Sequence, residues 1–131
     1  MVLNTGATNH MFGCQEAFAE LNSEALGTVR FGDDSVAQIE GWGTVTFVCK
    51  TGETRSFTGV YYIPWLTTNI VSIGQLDEVG YKVDIDDGIM HIREPGRRLL
   101  AKVKRAANRL YVLNIKIAPP VFLAARDDPE A

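Results

Sequence analysis

Near its start the chain reads Val2-Leu3-Asn4-Thr5-Gly6-Ala7, in which two apolar residues lead into a short polar turn. Gly6 allows the backbone to bend closely beneath the side chain at position 4. The Thr5 hydroxyl can both donate and accept hydrogen bonds, so it can fasten such a turn to a neighbouring segment. Taken alone, a tetrapeptide of this kind is usually a plain turn, and its meaning depends on the elements that follow it.

The segments that follow are predicted to be β-hairpins, because runs of alternating apolar and polar residues flank short turns. The first hairpin has its turn at Gly32-Asp33-Asp34-Ser35, and a later one turns at Asp87-Gly88, a strong two-residue hairpin signal. The predicted strands are 28–31, 36–40, 44–49, 54–62, 82–86, 89–93, 99–104 and 109–117.

Helices are predicted to be few. Residues 15–21 could form two turns, and residues 69–78 are the better candidate because Gly80 follows as a helix stop. The predicted fold class is therefore all-β: a closed β-barrel with one or two short helices.

Composition narrows the class of protein. The 131 residues suit one compact domain, with 46% hydrophobic and 22% charged residues. A net charge of -3 argues against nucleic-acid binding, and we interpret the basic cluster within 97–109 as a solvated face. No secretory signal or apolar run of membrane-spanning length is visible, so we expect a cytoplasmic protein without a membrane partner.

Cysteine and histidine give no sign of a metal or disulfide framework. Cys14 and Cys49 are expected to be free thiols. His10 with Cys14 has loose metal spacing, but two residues do not make a zinc site. We therefore expect no metal and no cofactor, and a structural or surface role for His10.

Several segments stand in a characteristic order behind the opening loop. They are Asn4-Thr5-Gly6-Ala7-Thr8-Asn9-His10-Met11, Val29-Arg30-Phe31-Gly32-Asp33, Ile39-Glu40-Gly41-Trp42-Gly43, Val60-Tyr61-Tyr62-Ile63-Pro64, Asn69-Ile70-Val71-Ser72-Ile73-Gly74-Gln75-Leu76 and Arg109-Leu110-Tyr111-Val112-Leu113. In order and spacing the chain resembles the aspartic protease region of copia-type retrotransposon polyproteins, a retropepsin-like family. The likeness covers residues 2 to roughly 125.

The resemblance implies an endopeptidase that processes its own polyprotein as a homodimer, each copy giving one loop to a shared site. Asn4 occupies the position of the catalytic aspartate, and Thr5, Gly6 and Ala7 complete the loop. Gly32, Asp33 and Asp34 would lie at the tip of a substrate-covering flap, and Ile73 and Gly74 would support the loop from behind. The protease domain would span 1–117. Residues 118–131 would be a disordered tail leading towards a pre-integrase region, and virus-like particles would be one location in the cytoplasm.

The departure from the family pattern is Asn4 itself. An amide nearly matches a carboxylate in shape but does not ionise near neutral pH, so it cannot serve as a general base. We therefore predict that this copy binds peptide and turns over little or none. Two origins remain open, deliberate replacement of Asp and natural loss in a decayed element. The rival hypothesis is a non-catalytic β-barrel that assembles particles or binds peptides.

Overall fold

The computed structural model describes residues 1–118, and the predicted tail lies outside them from residue 119 onward. Their strands are β1 (Val2–Asn4), β2 (Met11–Phe12), β3 (Glu20–Asn22), β4 (Thr28–Arg30), β5 (Val36–Gln38), β6 (Gly41–Val48), β7 (Thr54–Tyr62), β8 (Ile70–Ser72), β9 (Lys82–Asp86), β10 (Ile89–Arg93), β11 (Leu99–Lys104) and β12 (Lys116–Ile117). The helical segments are a 3-10 turn, Gln15–Ala17, and α1, Ile73–Glu78. The all-β class predicted from the sequence is confirmed.

The chain divides into two compact units. Of the described residues, the first contains Met1–His10 and Thr68–Asn114, and the second contains Met11–Thr67 and residues 115–118. A single protease domain over 1–117 therefore stays a prediction. No sheet within residues 1–118 closes on itself, so the expected barrel closure is not seen there.

The first unit is built on a parallel pair and a three-stranded antiparallel sheet. β1 runs parallel to β8, with Leu3 opposite Val71 and Asn4 opposite Ser72. β10 lies between β9 and β11, and α1 connects β8 to β9. The apolar side chains buried in this unit are Leu3, Val71, Leu76, Met90, Ile92, Val103 and Leu113.

The second unit is organised around the long β6–β7 hairpin. β2 pairs in parallel with β7, while β3 and β12 pair with β6 in the antiparallel sense. The β4–β5 hairpin forms a separate two-stranded sheet. Phe47 and Phe57 pack across the β6–β7 hairpin with ring centroids 4.6 Å apart, and both rings are buried.

Most predicted strands are confirmed, and three segments differ. Residues 15–21 form only one 3-10 turn before β3 begins at Glu20, because Gly43 leaves room for β3 to pair with β6. Residues 69–78 begin as a strand and become helical only at Ile73. The predicted strand 109–117 is divided, since Val112 bridges to Val2 whereas Lys116–Ile117 pair with β6.

No helix in residues 1–118 combines the length and the apolar character that crossing a membrane requires.

Candidate functional site

The loop at residues 4–7 leaves the end of β1 in the first unit. Asn4 is half-buried, whereas Thr5 and Gly6 are exposed. The Gly6 N–H donates a hydrogen bond of 2.6 Å to Oδ1 of Asn4, which fixes that side chain over the turn. A methyl group on Gly6 would stand 3.3 Å from the same oxygen, which is tighter than usual. The turn is therefore shaped around the side chain at position 4.

Ser72 fastens the far end of this loop to α1. Its buried hydroxyl donates to the Ala7 carbonyl at 2.7 Å and accepts from the Gln75 N–H at 3.0 Å. The second bond is an N-cap, because it satisfies one of the backbone N–H groups that the first turn of a helix leaves unpaired. One side chain thus starts the helix and holds the loop.

His10 contacts the same helix start from the segment that follows the loop. Its ring is only 2% exposed, and its Nδ1 accepts the Ser72 N–H at 2.9 Å. Its own backbone N–H donates to Oε1 of Gln75 at 2.8 Å. Burial lowers the pKa of His10 from 6.5 to about 4, because an imidazolium would lose its hydration there. The ring is therefore neutral at neutral pH, with Nδ1 as an acceptor.

The predicted support residues lie beside this network. Ile73 and Gly74 open α1 directly after Ser72. The hydrogen bond that reaches the loop from this segment comes from Ser72. A methyl group on Gly74 would meet Oγ of Ser72 at 3.8 Å, an ordinary contact, so crowding does not explain a glycine at this position.

The predicted flap residues lie in the second unit, at the turn of the β4–β5 hairpin. Gly32, Asp33 and Asp34 are all exposed there. Oδ1 of Asp33 accepts the Ser35 hydroxyl at 2.6 Å and the Ser35 N–H at 3.0 Å, and these bonds lower the pKa of the Asp33 carboxyl. Asp34 adopts a positive φ of 68°, which completes the turn.

A stacked aromatic pair also supports the hairpin beside its turn. Phe31 stacks on the exposed ring of Trp65, with ring centroids 5.4 Å apart. Aromatic pairs of this kind contribute about 0.5–1.5 kcal/mol beyond the area that they bury. An exposed hairpin of three-residue strands thus gains a fixed contact on one side.

A family model described as the β-barrel domain of Pol polyproteins matches residues 1–81, which is more than half of the chain. The chain belongs to this family. It is also 28% identical, over 127 residues, to the retrovirus-related Pol polyprotein from transposon TNT 1-94 of Nicotiana tabacum. The alignment covers 97% of this Pol β-barrel domain but only 9% of that relative. The predicted origin in a retrotransposon Pol polyprotein is confirmed at that level.

The structural or surface role expected for His10 is met by a buried, structural histidine. Ser72 and Gln75 of this Pol β-barrel domain were not predicted to bind the loop segment. The available signal was the spacing Ser72-Ile73-Gly74-Gln75, which fits the Ser-x-x-Gln pattern of a capping box. Nothing local marks His10, because its partners lie more than 60 residues away.

The loop at residues 4–7 carries no proton-transfer group. Residues 4–7 contain an amide, a hydroxyl and backbone groups, and none of them titrates near neutral pH. Across residues 1–118, no group of three or more histidine, cysteine, aspartate or glutamate side chains is placed to hold a metal ion.

Proposed function

We propose that this Pol β-barrel domain is an aspartic endopeptidase by descent, which cleaves its own polyprotein as a homodimer, and that Asn4 leaves this copy inactive. The observation that carries the proposal is the loop at residues 4–7. It holds the side chain of residue 4 by a 2.6 Å bond from Gly6 and is fastened to α1 through Ser72.

A carboxylate at position 4 would suit this loop. An aspartate could accept the same Gly6 N–H, and a hydrogen bond to the charged form lowers the pKa of a carboxyl. Two such carboxyls close together share one proton, because like charges at that distance cannot both ionise. The ionised group then takes a proton from water while its partner polarises the scissile carbonyl. One loop per chain requires two copies.

Asn4 removes this chemistry and leaves the shape. The amide oxygen still accepts from Gly6, but the amide nitrogen cannot take a proton from water. The unmodified chain should therefore bind an extended peptide without cleaving it. The exposed flap tip at 32–34 is the proposed cover for that peptide, and Ile73 and Gly74 are the proposed support of the loop.

The test is Asn4→Asp, with a flanking polyprotein segment as substrate at mildly acidic pH. We expect cleavage that a pepstatin-like inhibitor blocks. Asn22→Asp is the matched control, since it makes the same chemical change at an exposed position in β3 of the second unit and should give no activity. An Asn4→Asp protein that is verified as a dimer and still fails to cleave would count decisively against the proposal.

The amide itself favours a second candidate, a non-catalytic module that binds peptides or assembles particles. In that case Asn4 is the working residue, and its bond to Gly6 is the functional geometry. Peptide binding by the unmodified chain as a monomer, combined with no cleavage after Asn4→Asp, would support this candidate over the protease.

A further inference from the structure

We propose that His10 is a positioning residue, which holds the loop at residues 4–7 in place through its unprotonated Nδ1. Its Nδ1 accepts the Ser72 N–H, so it acts on the loop through Ser72.

Three points of the opening segment are tied to one short stretch, 72–75. Asn4 is the strand partner of Ser72 across β1 and β8. The Ala7 carbonyl accepts the Ser72 hydroxyl at 2.7 Å. His10 binds the stretch twice, through Nδ1 at 2.9 Å and through its backbone N–H to Gln75 at 2.8 Å. The loop is thus attached to segment 72–75 at its first residue, at its last residue and just after its last residue.

Only one protonation state of the ring fits this arrangement. A proton on Nδ1 would set an N–H donor against the Ser72 N–H, and both groups are buried. Opposed buried donors lose their hydrogen bond and leave two polar groups without partners. Protonation of His10 should therefore break its hydrogen bond with the Ser72 N–H and loosen the start of α1. The hydrogen bond from the Ser72 hydroxyl to the Ala7 carbonyl should weaken as a result.

Charged neighbours do not cause the low pKa of His10. The segment 4–9 has no charged side chain, and Asp77 and Glu78 of α1 are exposed. On β9, Lys82, Asp84 and Asp86 are exposed as well. The terminal amine of Met1 donates to the Leu113 carbonyl at 3.2 Å, and burial lowers its pKa. Desolvation is the cause of the low His10 pKa, so the ring responds to acid through its burial.

Two variants separate the acceptor from the ring. In His10→Asn, the side-chain Oδ1 can lie near the position of the histidine Nδ1 and cannot be protonated. It should therefore keep accepting the Ser72 N–H at every pH. In His10→Leu the acceptor is lost. The remaining titratable groups are the same in all three proteins, so comparison with His10→Asn isolates the titration of His10.

The first measurement is hydrogen exchange of segment 4–10 and of the Ser72 amide at pH 7 and pH 3.5, corrected for intrinsic rates. In the unmodified chain we expect the opening equilibrium to rise on the order of 100-fold at pH 3.5 relative to His10→Asn. Equal protection of the two proteins at pH 3.5 would overturn the proposal. If His10→Leu folds, it should lack this protection already at pH 7, and full protection there would overturn the proposal too.

The consequence for catalysis rests on the proposed protease function and is tested separately. In the Asn4→Asp protein, kcat should fall as the pH drops through about 4. Adding His10→Asn to the Asn4→Asp protein should move this acid-side fall in kcat to lower pH, with little change in KM. Identical acid limbs would overturn the link to catalysis. An inactive Asn4→Asp protein would count against the protease, while hydrogen exchange would still decide the role of His10.

Discussion

At position 4, the side chains of asparagine and aspartate have nearly the same shape, but the ionised carboxylate carries a full negative charge and the amide carries none. Asn4 keeps the hydrogen bond from Gly6 that a carboxylate would also accept. The local geometry therefore fits both a working amide and an amide that replaces an acid. What the structure adds is the brace behind the loop, in which Ser72 and His10 are both buried. Loss of function at this site would thus reside in one side chain.

Ser72→Ala is expected to destabilise the protein by about 1–3 kcal/mol, because it removes an N-cap and leaves the Ala7 carbonyl without its donor. Chemical denaturation measures this change in the free energy of unfolding. Ser23→Ala is the control, since Ser23 is exposed and outside any strand, and it should change stability by less than about 0.5 kcal/mol. Equal effects of the two variants would contradict the assigned role of Ser72.

At the scale of elements, the segment Gly41-Trp42-Gly43 shows why glycine alternates along the start of β6. β3 lies directly against this strand, with Leu21 opposite Gly43 and Asn22 opposite Trp42. A methyl group on Gly41 would stand 2.8 Å from the Asn22 carbonyl oxygen, and one on Gly43 would overlap the Glu20 carbonyl. The two glycines are required for close approach of a backbone.

Gly43→Ala is therefore expected to push β3 away from β6 and to cost about 1–3 kcal/mol of stability, as overpacking usually does. Gly32→Ala is the matched control: Gly32 has a negative φ and open space around its Cα, so stability should hardly change. Thermal unfolding of both variants is the measurement. A Gly43→Ala protein as stable as the control would show that β3 does not pack this way.

At the scale of the whole molecule, His10 should make the stability depend on pH. Its pKa is about 4 when folded and near 6.5 when unfolded, so between these values the unfolded chain binds more protons. Stability is then highest above about pH 6.5 and falls as the pH drops towards 4. A shift of this size corresponds to about 3 kcal/mol in total.

Urea unfolding at pH 7, 5.5 and 4 measures this dependence. We expect a decline in the free energy of unfolding that is much smaller in His10→Asn, because that variant cannot bind the proton. The pKa values of the exposed carboxyls of Glu16 and Asp33 are also lowered. Their protonation reduces the free energy of unfolding only at lower pH, and it does so in both proteins. Parallel curves for the two proteins would refute the contribution of His10.

The dimer of the proposed protease gives a further whole-molecule prediction. Adding a ninefold excess of unmodified chain to the Asn4→Asp protein should lower activity per Asn4→Asp chain about tenfold, because most Asn4→Asp chains are then paired with an unmodified chain, in dimers that hold only one carboxylate. A peptide-cleavage assay after subunit exchange measures the loss. Activity that is unaffected by the excess, with exchange verified, would mean that a single chain cleaves.

Much of the fold was predictable because short-range patterns determine it. Asp87 and Gly88 adopt φ values of 51° and 76°, as an Asp-Gly hairpin turn requires, and β9 and β10 have the predicted bounds. The β4–β5 turn was predictable in the same way. Long-range pairing was not, since residues 111–113 contact residues 1–3 and no local pattern specifies that partner.

The same limit applies to the candidate site. The loop at residues 4–7 could be found from its tetrapeptide and spacing, because glycine and polar residues mark turns locally. The role of His10 could not, since its environment is created by Ser72 and Gln75, which are distant in the sequence. A buried histidine and an exposed one look alike until the segments that cover them are known.

The pairing of residues 1–3 with residues 111–113 has a consequence for synthesis. The Met1 amine bonds to Leu113, 112 residues away, and β1 also needs β8 beside it. A ribosome translating this chain therefore releases the strand that carries the loop long before either neighbour exists. Contacts this distant in sequence form late in folding. The order of translation itself thus delays assembly of the site until about residue 113 has emerged, although the loop is made more than 100 residues earlier.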